Sequence, residues 1–186
     1  MASTNPHTVL LKGNPVGIEY LASAAITPGH LVALASTGKV AVHATAGVRC
    51  PAYIAREHEL DGGGLSDAYA ADETCFIWMA QPGDEYYMLL PAAAAAVVIG
   101  DQLESNGDGT LRKVTAALTD NSGGTANTTL QDIGSSHVEA EVANNFADVA
   151  LAINTYKSGA TAMFQALEAV DNSGGGSVAR IKVRKV

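Results

Sequence analysis

Short apolar runs separated by turn residues follow one another along most of the chain. Between residues 17 and 114 the turns include Pro28-Gly29, Thr37-Gly38, the stretch Gln81–Asp84 and the stretch Asn106–Gly109, and the run VVIGDQLES before the last of these predicts a strand. Runs of this length and spacing, with no helical period between them, are typical of antiparallel β-domains. The pattern therefore predicts a mainly β fold, as a small antiparallel β-barrel or sandwich.

One segment, residues 117–158, departs from this pattern. Its second half carries a single apolar stripe at helical spacing, formed by Val138, Val142, Phe146, Val149 and Ile153. Ser136, followed three residues later by Glu139, matches a capping box at the start of this stripe. The segment is predicted to be an insertion with a loop and one inserted amphipathic α-helix. The stripe must pack either on the β-domain or at a subunit interface, and the sequence is compatible with both.

After the insertion, the sequence again shows the pattern of short strands, and this pattern defines the bounds of the β-domain. In the last run, SVARIKVRKV, Ile181 and Val183 fall on one face and Arg180, Lys182 and Arg184 on the other. We therefore expect one β-barrel domain from residues 17–116 and 159–186, interrupted by the insertion at 117–158. Residues 1–16 contain Asn5-Pro6 and Asn14-Pro15 and are predicted to form an extended N-terminal arm.

The sequence DNSGG occurs twice, at Asp120–Gly124 and at Asp171–Gly175. Asp and Asn bond their own backbone, and glycines supply positive φ, so the motif is suited to tight turns. The residues after the two copies differ, TANTTLQDI in one case and GSVARIKV in the other, which favours one turn type used twice over a duplicated domain. The first copy is predicted to open the insertion, and the second to lead into the last strand.

Composition and charge exclude several classes of function. Hydrophobic residues are 47% of the chain but aromatic residues only 5%, which favours a core of Val, Ile, Leu and Ala over an aromatic-lined ligand pocket. With a net charge of −8 and only 11 Lys and Arg, we expect no nucleic acid and no anionic membrane surface as partner. The beginning of the sequence lacks a secretory pattern, and Leu89–Gly100 is too short to span a bilayer. We expect a soluble protein made in the cytoplasm.

Several short motifs resemble catalytic or metal-binding signatures but are incomplete. HELDG at His58–Gly62 lacks the second His of a zinc-protease helix, and GLSDA at Gly64–Ala68 lacks the last Gly of a nucleophile elbow. SNGDGT lacks the acidic residue that closes a calcium loop, and DGGG is not followed by a phosphate-loop lysine. The five histidines are scattered: His7, His30, His43, His58 and His137. We therefore expect no enzyme, no cofactor and no metal site.

The two cysteines, Cys50 and Cys75, each lie in an apolar, strand-like context without metal-binding spacing. This favours two buried thiols, while a disulfide between them stays open.

The order of the parts resembles a known family. ITPGHLVALASTGKV, GDEYYMLLPAAAAAVVIGDQLESNGDGTLRKV and FQALEAVDNSGGGSVARIKVRKV together are similar to the small β-barrel decoration (cement) proteins of tailed-bacteriophage capsids. The step VVIGDQL matches a recurring element of that family, and the insertion resembles a segment of several phage virion proteins, including head-fibre-like ones. The resemblance implies a non-enzymatic structural protein on the capsid exterior of the virion. It also implies the major capsid protein as partner and a homo-oligomer, often a trimer.

This resemblance leads to expectations for individual residues. Candidate capsid contacts lie in the arm and on the basic face of the last strand: Asn5, His7, Lys12, Arg180, Lys182 and Arg184. A second interpretation of the basic face is a solvated sheet edge that prevents aggregation. The alternative function is a virion fibre-base or host-glycan-binding module that uses the loop Leu60–Asp72. In that case Tyr69 is the better aromatic candidate, because Trp78 lies in an apolar strand and is expected in the core.

Overall fold

The computed structural model describes residues 6–114 and 161–186. The regular elements of these residues are eleven β-strands and one 3₁₀ turn, η1. Their bounds are β1 Leu10–Lys12, β2 Val16–Leu21, β3 Leu31–Leu34, β4 Val40–Val42, β5 Tyr53–Ala55, η1 Glu59–Asp61, β6 Thr74–Met79, β7 Glu85–Leu90, β8 Gln102–Ser105, β9 Leu111–Lys113, β10 Phe164–Ala166 and β11 Ala179–Lys185.

The strands form two antiparallel sheets. Sheet A has six strands in the order β1-β7-β11-β10-β8-β9, and sheet B has five in the order β2-β6-β5-β3-β4. The longest pairings join β7 to β11, with Leu90 opposite Ala179, and β2 to β6, with Ile18 opposite Ile77. Because β10 and β11 pair with β8 and β7, the strands on either side of the insertion share one sheet.

Two hydrophobic clusters lie on opposite faces of sheet B. The first cluster joins both sheets, since it contains Leu31 and Ile54 from sheet B together with residues of β7, β8, β10 and β11. The second cluster contains Val32 and Ala55, the residues that follow Leu31 and Ile54 along β3 and β5. Successive side chains of a strand point to opposite faces, so sheet B is buried on both of its faces.

The second cluster is covered by the connection between β5 and β6, residues 56–73. Tyr69 of this connection is 1% exposed and forms an isolated bridge with Ile26. Its hydroxyl donates to the backbone oxygen of Arg56 at 2.8 Å. A Gly- and Asp-rich segment thereby folds back over the sheet as part of the core.

The prediction of a mainly β fold is confirmed as two antiparallel sheets, but no closed barrel is found among the described residues. The predicted inserted helix and its stripe, like the first DNSGG copy, lie outside the described residues. Thr37-Gly38 and the other predicted turns separate strands as expected, and the Asn106–Gly109 stretch joins β8 to β9.

The structure differs from the predicted N-terminal arm over residues 9–16. Val9 is fully buried in the first cluster, and its backbone oxygen accepts from the amide of Tyr87 at 2.7 Å. Leu10–Lys12 is strand β1, which pairs with β7, and Val16 begins β2. The two Asn-Pro pairs are turn signals, and they led to the prediction of an unpacked segment. The apolar residues between the two pairs are the ones that enter the sheets.

Candidate functional site

The basic face of β11 lies in the interior of sheet A and not at its edge. Strand β11 has β7 on one side and β10 on the other, so the interpretation of a solvated sheet edge is wrong. Ile181 and Val183 point into the first cluster, as the alternation predicted. The side chains of the opposite face are held by neighbours: Lys182 Nζ lies 3.0 Å from Glu168 Oε2, and Arg184 Nη2 lies 2.9 Å from Glu85 Oε1.

Arg180, the first residue of this basic face, makes contacts with other residues of the same molecule. Its guanidinium lies over the ring of Tyr87, at 5.8 Å from the centroid, and Nη2 donates to the backbone oxygen of Leu65. Burial lowers the pKa of Arg180. This side chain ties the connection at residues 56–73 to sheet A, which leaves it a poor candidate for contact with another protein.

The other predicted contact residues are partly brought together. Lys12 of β1 is exposed and stands opposite Glu85 in the register of β1 and β7, and Arg184 stands opposite Glu85 from the other side. His7 is exposed, whereas Asn5 lies outside the described residues. The five residues of the predicted oligomer or packing face also lie outside them: Val138, Val142, Phe146, Val149 and Ile153.

The aromatic candidates for glycan binding are not displayed on the surface. Tyr69 is buried in the second cluster, so the expectation that it is exposed in its loop is wrong. Trp78 is partly buried against the first cluster, and the guanidinium of Arg56 covers its ring at 4.4 Å from the centroid. Neither ring offers the open face on which a sugar stacks.

A surface of low charge lies along the two segments that follow β7 and precede β11, and the bridge between Val97 and Val170 joins these segments. It is formed by residues 91–100 and 170–178, called the apolar tip below, which contain a single charged residue, Asp171. Its large exposed side chains are Val98, Ile99 and Val178, which are 54%, 69% and 51% exposed. The strand-forming sequence VVIG predicts part of β8 here. In the structure β8 begins at Gln102, because Val98–Asp101 forms a turn in which Gly100 has a φ of 91°.

Hydrogen bonds fix the two halves of the apolar tip to each other. Asn172 Nδ2 donates to the backbone oxygens of Pro91 and Ser177, at 2.8 and 3.0 Å. The amide of Ala93 donates to the backbone oxygen of Gly175 at 2.9 Å, and Ala93 has a φ of 53°, which is costly for a residue with a Cβ. The second DNSGG copy is therefore a turn, as predicted, and it braces the neighbouring loop.

A cleft on the connection between β5 and β6 brings together side chains that the sequence analysis did not link to one another. His58, Asp61 and Glu73 line it, together with Tyr69 and the glycines after η1. His58 and Asp61 are three residues apart, and that spacing was visible in HELDG. Glu73 reaches them only because the connection folds back, so no local pattern could have signalled it.

Comparisons with known proteins leave the family of the chain open. A scan against protein-family models gives no match, and a search of curated proteins gives none either. Among solved structures, the chain is similar to the head fibre gp8.5 N base of bacteriophage phi29. The TM-score is 0.46 and the sequence identity 11%, over 93% of this chain and 95% of that one. Within the described residues, no helix has the length and apolar character needed to cross a membrane.

Proposed function

We propose that this chain is a structural virion protein that binds the outer surface of a tailed-phage capsid and stabilises the shell. The resemblance of its sequence to decoration proteins supports this class of function. The apolar tip is the surface that we propose for the contact with the capsid. In this proposal the major capsid protein is the partner, the bound form is a homo-oligomer with a trimer favoured, and no reaction is catalysed.

The apolar tip carries the proposal because its composition suits a protein interface. The centre of an interface is depleted of charged residues and gains from burial of apolar area. Ile99 and Val98 are more than half exposed, so contact with a partner removes most of their surface from water. The bracing by Asn172 keeps the two loops in place before binding, which lowers the entropy cost of ordering them.

Repetition compensates for the small size of this surface. One apolar tip offers a few side chains, and a single contact of that size binds weakly. An oligomer on a symmetric shell presents several tips at once, so the second and third contacts form at high effective concentration. Binding of this kind requires a rigid scaffold and exposed loops, and it requires no deep pocket.

The test is co-sedimentation with capsids assembled from the major capsid protein of the same genome. We expect the wild-type protein to sediment with the capsids and to raise their melting temperature. I99D should reduce occupancy at least about tenfold, because a charge would be buried in an apolar contact. L60D is the matched control: Leu60 is 82% exposed but belongs to η1, outside the two segments of the apolar tip.

The possible outcomes test the decoration role and the apolar tip as the contact surface separately. A wild-type protein that ignores the capsids would reject the decoration role. If wild-type and I99D bind equally, the role stands but the apolar tip is not the contact. In that case the doubly substituted H7A/K12A variant tests the other exposed candidates, His7 and Lys12. Light scattering of the free protein measures the oligomer.

The alternative function, a fibre-base or host-glycan-binding module, has no described residue that favours it. Its loop, Leu60–Asp72, contributes its one aromatic ring, Tyr69, to the core. A glycan array would revive this alternative if the wild-type protein bound a sugar and lost it on substitution of exposed residues in that loop, such as Ser66.

A further inference from the structure

We propose that His58, Asp61 and Glu73 form a binding site for a divalent transition-metal ion of the zinc class. The site goes beyond capsid binding and departs from the expectation of no metal drawn from the sequence. His58 Nδ1 lies 3.2 Å from Glu73 Oε1 and 3.4 Å from Asp61 Oδ2. The potential ligand atoms of the three residues all lie within 4.8 Å of one another. They border a cleft of about 300 Å³.

The distances suit a shared ion. Zinc binds imidazole nitrogen and carboxylate oxygen at about 2.0–2.2 Å, which places neighbouring ligand atoms roughly 3–3.5 Å apart in tetrahedral or octahedral geometry. The two separations from His58 Nδ1 fall in that range. The cleft leaves space for water at the remaining coordination positions.

The two carboxylate charges beside His58 also favour a divalent cation over a single proton. Two carboxylates approach the same ring nitrogen of His58. If His58 is protonated, its single Nδ1–H and single positive charge serve two anions. If His58 is neutral, Nδ1 either donates one hydrogen bond or offers a lone pair that faces negative oxygen. A divalent cation among the three groups balances both carboxylates and uses the lone pair of Nδ1.

The surrounding residues hold Glu73 and His58 in place without help from an ion. Glu73 Oε2 accepts from the amide of Ala70 at 2.6 Å, which leaves Oε1 directed at His58. The His58 ring packs against Tyr69 and Phe76, with centroid distances of 5.5 and 5.1 Å. A Cβ at Gly63 would lie 3.2 Å from the backbone oxygen of His58, so glycine permits the close turn after η1. Ligands fixed in this way lose little entropy when a metal binds.

The mixture of ligands selects the kind of metal. One imidazole with two carboxylates suits Zn²⁺, Co²⁺, Ni²⁺ or Mn²⁺, whereas Mg²⁺ and Ca²⁺ prefer oxygen ligands only. The ion would join η1 to the segment just before β6. It would therefore fasten the connection at residues 56–73 over the second hydrophobic cluster, which is a structural role.

Metal-stripped full-length protein should be titrated with ZnCl₂ by calorimetry, and with CoCl₂ by visible absorption. We expect one equivalent of Zn²⁺ per chain, a Co²⁺ ligand-field band, a higher melting temperature with Zn²⁺, and no response to the same concentration of MgCl₂. H58Q and E73Q should each weaken Zn²⁺ binding at least about tenfold.

Two further variants keep the test decisive. Asp61 has a side chain 76% exposed, so D61N should fold normally and still weaken Zn²⁺ binding, even if H58Q or E73Q fails to fold. H7Q removes an exposed imidazole elsewhere and should bind Zn²⁺ like the wild type. Absence of Zn²⁺ binding by the wild type, or equal binding by D61N and the wild type, would overturn the proposal. The three groups would then be a cluster of polar side chains that holds no metal ion.

Discussion

Arg112 donates to Glu104 from two nitrogens at once, with Nε 3.0 Å and Nη2 2.9 Å from the same carboxylate oxygen. The two residues stand opposite each other in the hairpin of β8 and β9. Glu104 is 1% exposed, whereas the Arg112 side chain is 35% exposed. The second oxygen of Glu104 is buried and has no hydrogen-bond partner among the described residues. The charge of Glu104 is thus compensated from one side only, which makes Arg112 the residue on which it depends.

We expect R112Q to lower the free energy of unfolding by about 3 kcal/mol, because it leaves a buried carboxylate without its cation. The measurement is urea denaturation followed by circular dichroism. K113Q is the matched control on the next residue, since Lys113 pairs with Asp101 nearer the surface and exposed pairs contribute about 0–1 kcal/mol. An R112Q loss no greater than that of K113Q would show that water reaches the Glu104 carboxylate.

Stability should fall as the pH is lowered through about 6.5, the ordinary pKa of histidine. Burial lowers the pKa of His43, and burial is also the largest cause of the lowered pKa of His30. The folded protein therefore binds fewer protons than the unfolded chain in this range, so acid favours unfolding. His43 Nδ1 lies 2.7 Å from Ser105 Oγ, both inside the core, which leaves no room to solvate an imidazolium.

The pH effect is measured as the difference in urea midpoint between pH 7.5 and pH 5.5, a range above the titration of ordinary carboxylates. We expect H43Q to reduce that difference. H7Q, which removes an exposed histidine, should leave it unchanged. A midpoint that is flat over this range in the wild type would contradict the lowered pKa values of His30 and His43.

The sequence predicted the individual strands well, but it did not predict which strands lie next to each other in the sheets. Alternation in the last run correctly assigned Ile181 and Val183 to the core. It could not place β11 in the middle of sheet A, because strand order depends on pairings between distant parts of the chain. The same limit explains Tyr69: a polar, Gly-rich segment predicts a surface loop, and only the bridge to Ile26 places that ring in the core.

The candidate sites were harder to predict than the fold, for a related reason. The three basic residues of β11 have partners within the molecule, as Arg184 has in Glu85. The apolar tip has a strand-like sequence that a turn at Gly100 diverts to the surface. The proposed metal site requires Glu73, which lies 15 residues after His58 and which the connection brings back to it.

Both thiols should be unreactive in the folded protein. Cys50 and Cys75 are free, and burial raises their pKa values to about 11 and about 12. The thiolate is the reactive form, so very little of it is present at pH 8. We expect a thiol reagent such as Ellman's to react slowly with native protein at pH 8 and to titrate two thiols after denaturation. Rapid reaction of one equivalent in the native state would show that Cys50, the less buried of the two, opens to solvent.

Gly109 and Gly38 form a matched pair for separating backbone strain from packing. Both have positive φ, 78° and 77°, so alanine at either position costs about 1–2 kcal/mol in backbone strain. A Cβ at Gly38 would meet nothing within 4 Å, whereas a Cβ at Gly109 would lie 2.5 Å from Val42 Cγ1 and 3.1 Å from the His30 ring. We expect G109A to lose about 1–3 kcal/mol more than G38A in urea denaturation, because β4 must move to accommodate the methyl group. Equal losses would show that the β8–β9 hairpin shifts freely against β4, which the amide of Gly109, donating to the backbone oxygen of His43 at 3.1 Å, argues against.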